Sequence, residues 1–145
     1  MSQRDLEDFL PFLVNRVSAR LVASFSQAIA DRGLSIAEAR TLSAILFKGD
    51  MRLAALSEAT DLQLSTLSRL VRRLEERGLC TIEARGADER AGLIALTPVG
   101  REAIAEIADL GARHERALVR DLDGEDLALA KRILRKLYQN ALEPW

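Results

Sequence analysis

The stretch "LSTLSRLVRRLEERGLCTIEARGADERAGLIALT", Leu64 to Thr97, changes its hydrophobic period partway along. Leu64, Leu67, Val71 and Leu74 recur at the spacing of a single helix face, which predicts an amphipathic helix from about Gln63 to Arg77. Gly78 ends it. From there Cys80, Ile82 and Ala84 alternate with Thr81, Glu83 and Arg85, which is the period of a strand. "RGADERAG" is polar and contains glycines, and "LIAL" resumes the apolar run, so a β-hairpin is predicted. The helix face opposite the leucines carries Gln63, Ser65, Thr66, Ser68, Arg69, Arg72 and Arg73, with no acid among them. The formal charge of the whole chain is only −1, so this basic face is a local feature that bulk composition conceals.

The elements on either side are helical. A first helix is expected from Leu10–Pro11, where proline suits the opening turn, to Asp31, with Phe12, Leu13, Val17, Leu21, Phe25 and Ile29 as its apolar stripe and Gly33 as its stop. "SIAE" reads as a capping box in which Ser35 and Glu38 satisfy each other's backbone N–H groups. The helix it opens contains Ala39, Leu42, Ile45 and Leu46 and ends at "KGD". A short helix over Arg52 to Thr60 meets the basic helix through a tight turn at Asp61–Leu62. Beyond the hairpin, Thr97 is an N-cap with Pro98 in first position, opening a helix to about Asp121. Asp123, Glu125 and Asp126 open a last helix, whose apolar set is Leu127, Ala130, Ile133, Leu134, Leu137 and Tyr138.

Composition excludes several classes of function. At 145 residues the chain has the size of one domain, and 48% hydrophobic with 30% charged residues argues for a folded rather than a disordered protein. One cysteine rules out an intrachain disulfide and fits a reducing compartment. The start "MSQRDLEDF" has no apolar signal core, and charges interrupt every apolar run before it could span a bilayer, so the expectation is cytoplasmic, with no membrane partner. His114 and Cys80 lie far apart in the chain, which argues against a zinc site or a Cys/His nucleophile pair; no paired catalytic carboxylates or phosphate-binding glycine loop appear either. The expectation is therefore a non-enzyme with no metal and no cofactor.

A short helix, a tight turn, a basic helix and a hairpin follow one another in the order of a winged helix-turn-helix. Hydroxyl side chains near a helix start can approach bases and phosphates alongside free backbone N–H groups. An arginine further in can grip guanine O6 and N7, a role open to Arg69 or Arg73. Arg90 would sit at the hairpin tip beside a minor groove, with Asp88 placed to orient it or an arginine of the helix. Arginines on one helix face are often only a solvated surface; the coupled short helix and arginine-tipped hairpin favour DNA. The competing function is a winged-helix protein-interaction module without DNA binding, against which the presence of Arg69, Arg73 and Arg90 argues.

"STLSRLVRRLEERGL", the "DERAG" that holds Asp88 and Arg90, and "ALTPVG" together resemble the MarR-type transcriptional regulators. Asp88 and Arg90 stand at the D-x-R wing positions, and Leu96, Thr97 and Gly100 at the L-T-x-x-G helix start. Asp61 departs from the pattern where glycine is frequent in the turn, and Glu89 where a second basic residue is common. The resemblance implies a mainly α fold with a small β-hairpin wing: a winged helix-turn-helix lobe over residues 34–99, and a helical dimerisation region over 5–33 and 100–145. It implies a homodimer whose two basic helices, about 34 Å apart, read a near-palindromic double-stranded operator. It also implies a repressor released by a small-molecule effector, such as an aromatic carboxylate or related acid, bound between the dimerisation helices and the lobe.

Arg16 and Arg20 lie one turn apart on the first helix, near Phe12. One reading makes them a solvated face; the other, following the resemblance, makes Phe12, Arg16 and Arg20 an effector site in which an arginine anchors the acid. Cys80, inside the strand pattern, reads as a small core residue rather than a redox sensor. Tyr138 and Trp145 read as dimer packing.

Overall fold

The computed structural model describes residues 6–83 and 92–143. After a single 3-10 turn (Leu6–Asp8) come α1 (Leu10–Ala30), α2 (Ile36–Lys48), β1 (Met51–Arg52), α3 (Leu53–Thr60), α4 (Leu64–Glu76), β2 (Cys80–Glu83), β3 (Leu93–Leu96), α5 (Pro98–Leu118) and α6 (Gly124–Leu142). The mainly α fold with a small β wing is thus observed. Helix ends agree with expectation to within a residue or two except at α5, which stops at Leu118 rather than Asp121.

The sequence reasoning missed β1. It pairs antiparallel with β3, Met51 opposite Ile94, so among the described residues the sheet has three strands in the order β1-β3-β2 rather than the hairpin pair alone. Two residues are too short to display a period of two, and only the partner strand makes them a strand.

The first compact unit extends as far as Asp109 and the second begins at Leu110. In the first, Ala39, Leu42 and Ile45 of α2, Leu56 of α3, Leu67, Leu70, Val71 and Leu74 of α4, Cys80, Ile94 and Leu96 of the sheet, and Ile104 and Ile107 of α5 form one core. α1 contributes only its C-terminal end: Ile29 is buried and Leu21 and Phe25 are half-buried, while Leu13, Val14 and Val17 are exposed. The expected stripe along α1 is therefore covered for only half its length. In the second unit, Lys131 Nζ lies 2.6 Å from Glu115 Oε1, and the Asp123 carboxylate accepts from the Asp126 N–H at 2.8 Å. Ile133, Leu134 and Tyr138 of α6 are exposed.

The predicted caps are present. Ser35 Oγ accepts from the Glu38 N–H at 3.2 Å, and the Ser35 N–H donates to Glu38 Oε2 at 2.8 Å. Thr97 Oγ1 accepts from the Gly100 N–H at 3.0 Å and donates to the Gly78 carbonyl at 2.6 Å, so the cap of α5 is fastened to the residue that ends α4. The Thr97 N–H reaches the Leu79 carbonyl at 3.2 Å. These bonds bring the start of α5 so close that a Cβ on Gly100 would overlap the Leu79 carbonyl oxygen and lie 2.7 Å from its carbon.

Candidate nucleic-acid interface

α4 is set against α3 by a turn with left-handed backbone at Asp61 (φ 55°, ψ 26°). Aspartate tolerates this region better than most side chains, and glycine best of all. Around the turn, Ser57 Oγ donates to the Leu62 carbonyl at 2.6 Å and Arg40 Nη1 to the Thr60 carbonyl at 3.4 Å. The second bond occupies a carbonyl that the end of α3 would otherwise leave open, and the first ties α3 to the turn that follows it.

Gln63 is the N-cap of α4 by backbone geometry, and its side chain makes no capping bond. The first N–H groups of α4 have no partner within the helix, and the exposed Ser65 and Thr66 stand beside them. The buried face is Leu67, Leu70, Val71 and Leu74. Leu64, expected in that stripe, is instead 52% exposed, and Leu70 takes its place. Leu64 opens the helix and lies about 70° round from the middle of the buried face, so it runs past the core at its end.

Opposite that face, Ser65, Arg69 and Arg72 are exposed at the centre, with Thr66 and Arg73 on one flank and the half-buried Ser68 on the other. Arg69 Nε donates to the Ser65 carbonyl one turn back at 3.3 Å. That bond steadies the side chain and uses none of the terminal guanidinium nitrogens, which are those a guanine edge or a phosphate takes. Asp88 and Arg90, expected at the wing tip, lie outside the described residues, as do Glu89 and Trp145.

The C-terminal end of α4 is anchored by residues that sequence reasoning passed over. Arg77 Nη1 meets Glu38 Oε1 at 3.2 Å, and Arg77 Nη2 donates to the Gly33 carbonyl at 2.8 Å. Burial alone would raise the Glu38 carboxyl; the Ser35 N–H and hydroxyl and the charges of Arg77 and Arg73 outweigh it and hold the group below the usual carboxylate range. The same α1–α2 turn is held to α5 by Arg32 Nε, 3.0 Å from Glu106 Oε2. Glu75 Oε1 accepts from the backbone N–H of Ile82 in β2 at 3.0 Å. Neither Arg77 nor Glu75 carried a sequence signal, because their partners are backbone atoms or lie far along the chain.

On α1, Phe12 is half-buried and Arg16 and Arg20 are exposed. The Arg16 guanidinium lies over the Phe12 ring, 5.6 Å from its centroid, a cation–π contact that sets a cation against one aromatic face and leaves the other face of the ring to other partners. Cys80 is 1% exposed, and burial, then the Glu75 charge, push its thiol up to about 11. A buried thiol held protonated is a core residue, as expected. No group of three or more metal-binding side chains occurs among the described residues, and none of their helices is long and apolar enough to cross a membrane.

A sequence model of the MarR family matches residues 32–91, from the end of α1 through α4 and on past β2. The transcriptional regulator HosA of Escherichia coli O111:H- is 30% identical over 96 residues, which cover 66% of this chain and 71% of HosA. Among solved structures, a MarR family transcriptional regulator from Silicibacter pomeroyi superposes with a TM-score of 0.84 at 28% identity, covering 97% of this chain and 95% of its own. BpsR of Bordetella bronchiseptica, whose DNA binding is regulated by 6-hydroxynicotinic acid, gives 0.79 at 26% identity and covers 94% of this chain and 98% of its own.

Proposed function

The chain belongs to the MarR family of transcriptional regulators, and from that premise we propose that it is a cytoplasmic, non-enzymatic repressor that binds a specific double-stranded operator as a homodimer and is released by a small acidic ligand. The observation that carries the reading is the polar face of α4. Ser65, Thr66, Arg69, Arg72 and Arg73 are exposed on a helix whose other face is locked into the core. In this reading Gln63, Ser65, Thr66 and Ser68 register the helix against phosphates and bases. Arg69 or Arg73 grips a guanine edge and Arg72 a phosphate, while Arg90, oriented by Asp88, enters the adjacent minor groove from the wing.

The dimerisation region is assigned to residues 5–33 and 100–145, around the winged lobe at 34–99. Support comes from the apolar side chains left uncovered in a single chain: Leu10, Leu13, Val14 and Val17 on α1, and Ile133, Leu134 and Tyr138 on α6. Covering such rows is what a second copy does in an obligate dimer.

For the effector, Phe12, Arg16 and Arg20 are assigned to the site. The Arg16–Phe12 pairing supports an aromatic acid, since the guanidinium complements a carboxylate while the ring packs on a ring. That the DNA binding of BpsR is regulated by 6-hydroxynicotinic acid points to the same chemistry.

The reading is tested by offering the protein a random double-stranded pool, recovering a bound duplex and measuring its affinity by fluorescence anisotropy. A recovered duplex with twofold symmetry, bound about a thousandfold or more tightly than scrambled DNA, is the expected outcome. Equal affinity for both refutes it.

A further inference from the structure

In the strand order β1-β3-β2, β2 is paired on one side only among the described residues. An edge strand leaves alternate backbone donors without a strand partner, and the Ile82 N–H is taken instead by Glu75 Oε1 of α4, 3.0 Å away. Glu75 is an odd residue to find there on the DNA reading. It stands three positions after Arg72 and adds a negative charge to a helix expected to face phosphates.

We propose that Glu75 is a positioning residue that locks β2 to the recognition helix, so that α4 and the base of the wing meet DNA as one rigid surface. The proposal rests on the DNA-binding reading above. A carboxylate is the strongest acceptor available to a lone backbone N–H, and a charge-assisted bond of this kind fixes direction as well as distance. Without it β2 is held to α4 by the short Gly78–Leu79 connection, by the weak bond that Cys80 Sγ donates to the Val71 carbonyl at 3.6 Å and by packing, and the outer edge of β2 must be ordered at the moment of binding, at the expense of affinity.

The test sets the tether against simple electrostatics. Glu75→Gln and Glu75→Ala both remove one negative charge, so charge alone makes both bind DNA more tightly than the wild type. The tether separates them, because the Gln amide oxygen still accepts from Ile82 and Ala has nothing to offer. With the duplex recovered from the random pool, at one fixed salt concentration, Glu75→Gln is expected to match or exceed wild-type affinity. Glu75→Ala is expected to bind about three- to tenfold more weakly, with a salt slope lower by about one if the wing's arginine contact goes with it. Amide exchange at Ile82, read by NMR without DNA, is expected to speed up in Glu75→Ala and to stay near the wild-type rate in Glu75→Gln. If Glu75→Ala binds the duplex as tightly as Glu75→Gln, the proposal is overturned. If the wild type selects no duplex, the DNA reading has failed by itself, and the exchange rates decide the tether: equal Ile82 rates in wild type and Glu75→Ala overturn it.

Discussion

Gly100→Ala opposes two effects whose sizes differ enough to fix the sign. Alanine inside a helix is favoured over glycine by about 1 kcal/mol, and Gly100 lies in the first turn of α5, so propensity alone gives a stabilisation of at most that size. Against it stands the Leu79 backbone. The new Cβ would overlap the carbonyl oxygen and sit 2.7 Å from its carbon and 3.0 Å from Leu79 Cα. That carbonyl cannot swing away, because it accepts from the Thr97 N–H, and Leu79 itself is buried and bonded through its N–H to the Leu74 carbonyl. α5 must therefore retreat by on the order of 1 Å to reach normal contact. The retreat strains the two bonds from Thr97 to Gly78 and Leu79, each worth about 1 kcal/mol, and loosens the packing of the fully buried Ile104 by a similar amount. The net expectation is a destabilisation of about 2 kcal/mol, seen as a lower urea midpoint by circular dichroism at a fixed protein concentration, or as a melting temperature lower by about 4–8 °C. Gly124→Ala is the control: it opens α6 with nothing within 4 Å of its new Cβ and is expected to be neutral or slightly stabilising. A Gly100→Ala midpoint at or above wild type would refute the close-approach argument.

Alanine at whichever of Arg69 and Arg73 is the proposed base reader is expected to cost about 1–3 kcal/mol on the selected duplex and little on scrambled DNA; equal losses on both would make the two side chains phosphate clamps. Arg90→Ala is expected to weaken binding and lower the salt slope by about one while leaving the melting temperature unchanged, and an unaltered salt dependence would remove Arg90 from the interface. Cys80 titrates at about 11 in the fold against an ordinary 9.0, so its contribution is complete below pH 9 and is lost as pH rises from there through about 11. On the order of 2 kcal/mol more stability should disappear over that interval in the wild type than in Cys80→Ala, as measured by urea midpoints across the alkaline range. Arg16→Ala should leave operator affinity intact and abolish release by 6-hydroxynicotinic acid or a related aromatic acid that releases the wild type. Release at an unchanged concentration would make Arg16 ordinary surface.

What could be read from sequence was local. Ser35 and Glu38, Thr97 with Pro98, and the period change at Leu79 each declare themselves within a few residues, and each stands in the structure as read. What escaped depended on neighbours distant in the chain. β1 is a strand only because β3 lies beside it, and Leu64 and Leu70 exchange places because burial depends on where the core ends rather than on periodicity alone. The candidate site divides in the same way. The exposed hydroxyls and arginines of α4 follow from helical spacing, whereas the grip of Arg77 on Gly33 and Glu38, and of Glu75 on Ile82, requires the folded lobe to exist first.

The contact between Glu75 and Ile82 also bears on how the protein behaves when crowded. An open sheet edge is a template on which another chain can add a strand, the first step of aggregation. Here one edge is β1, only two residues long, and the other is β2, where a carboxylate occupies the Ile82 donor and brings a negative charge to the approach path. A foreign strand must displace that carboxylate before it can pair with the Ile82 N–H. Loss of Glu75 would thus leave an adhesive edge at the concentrations reached during overexpression, visible as light scattering before any change in secondary structure.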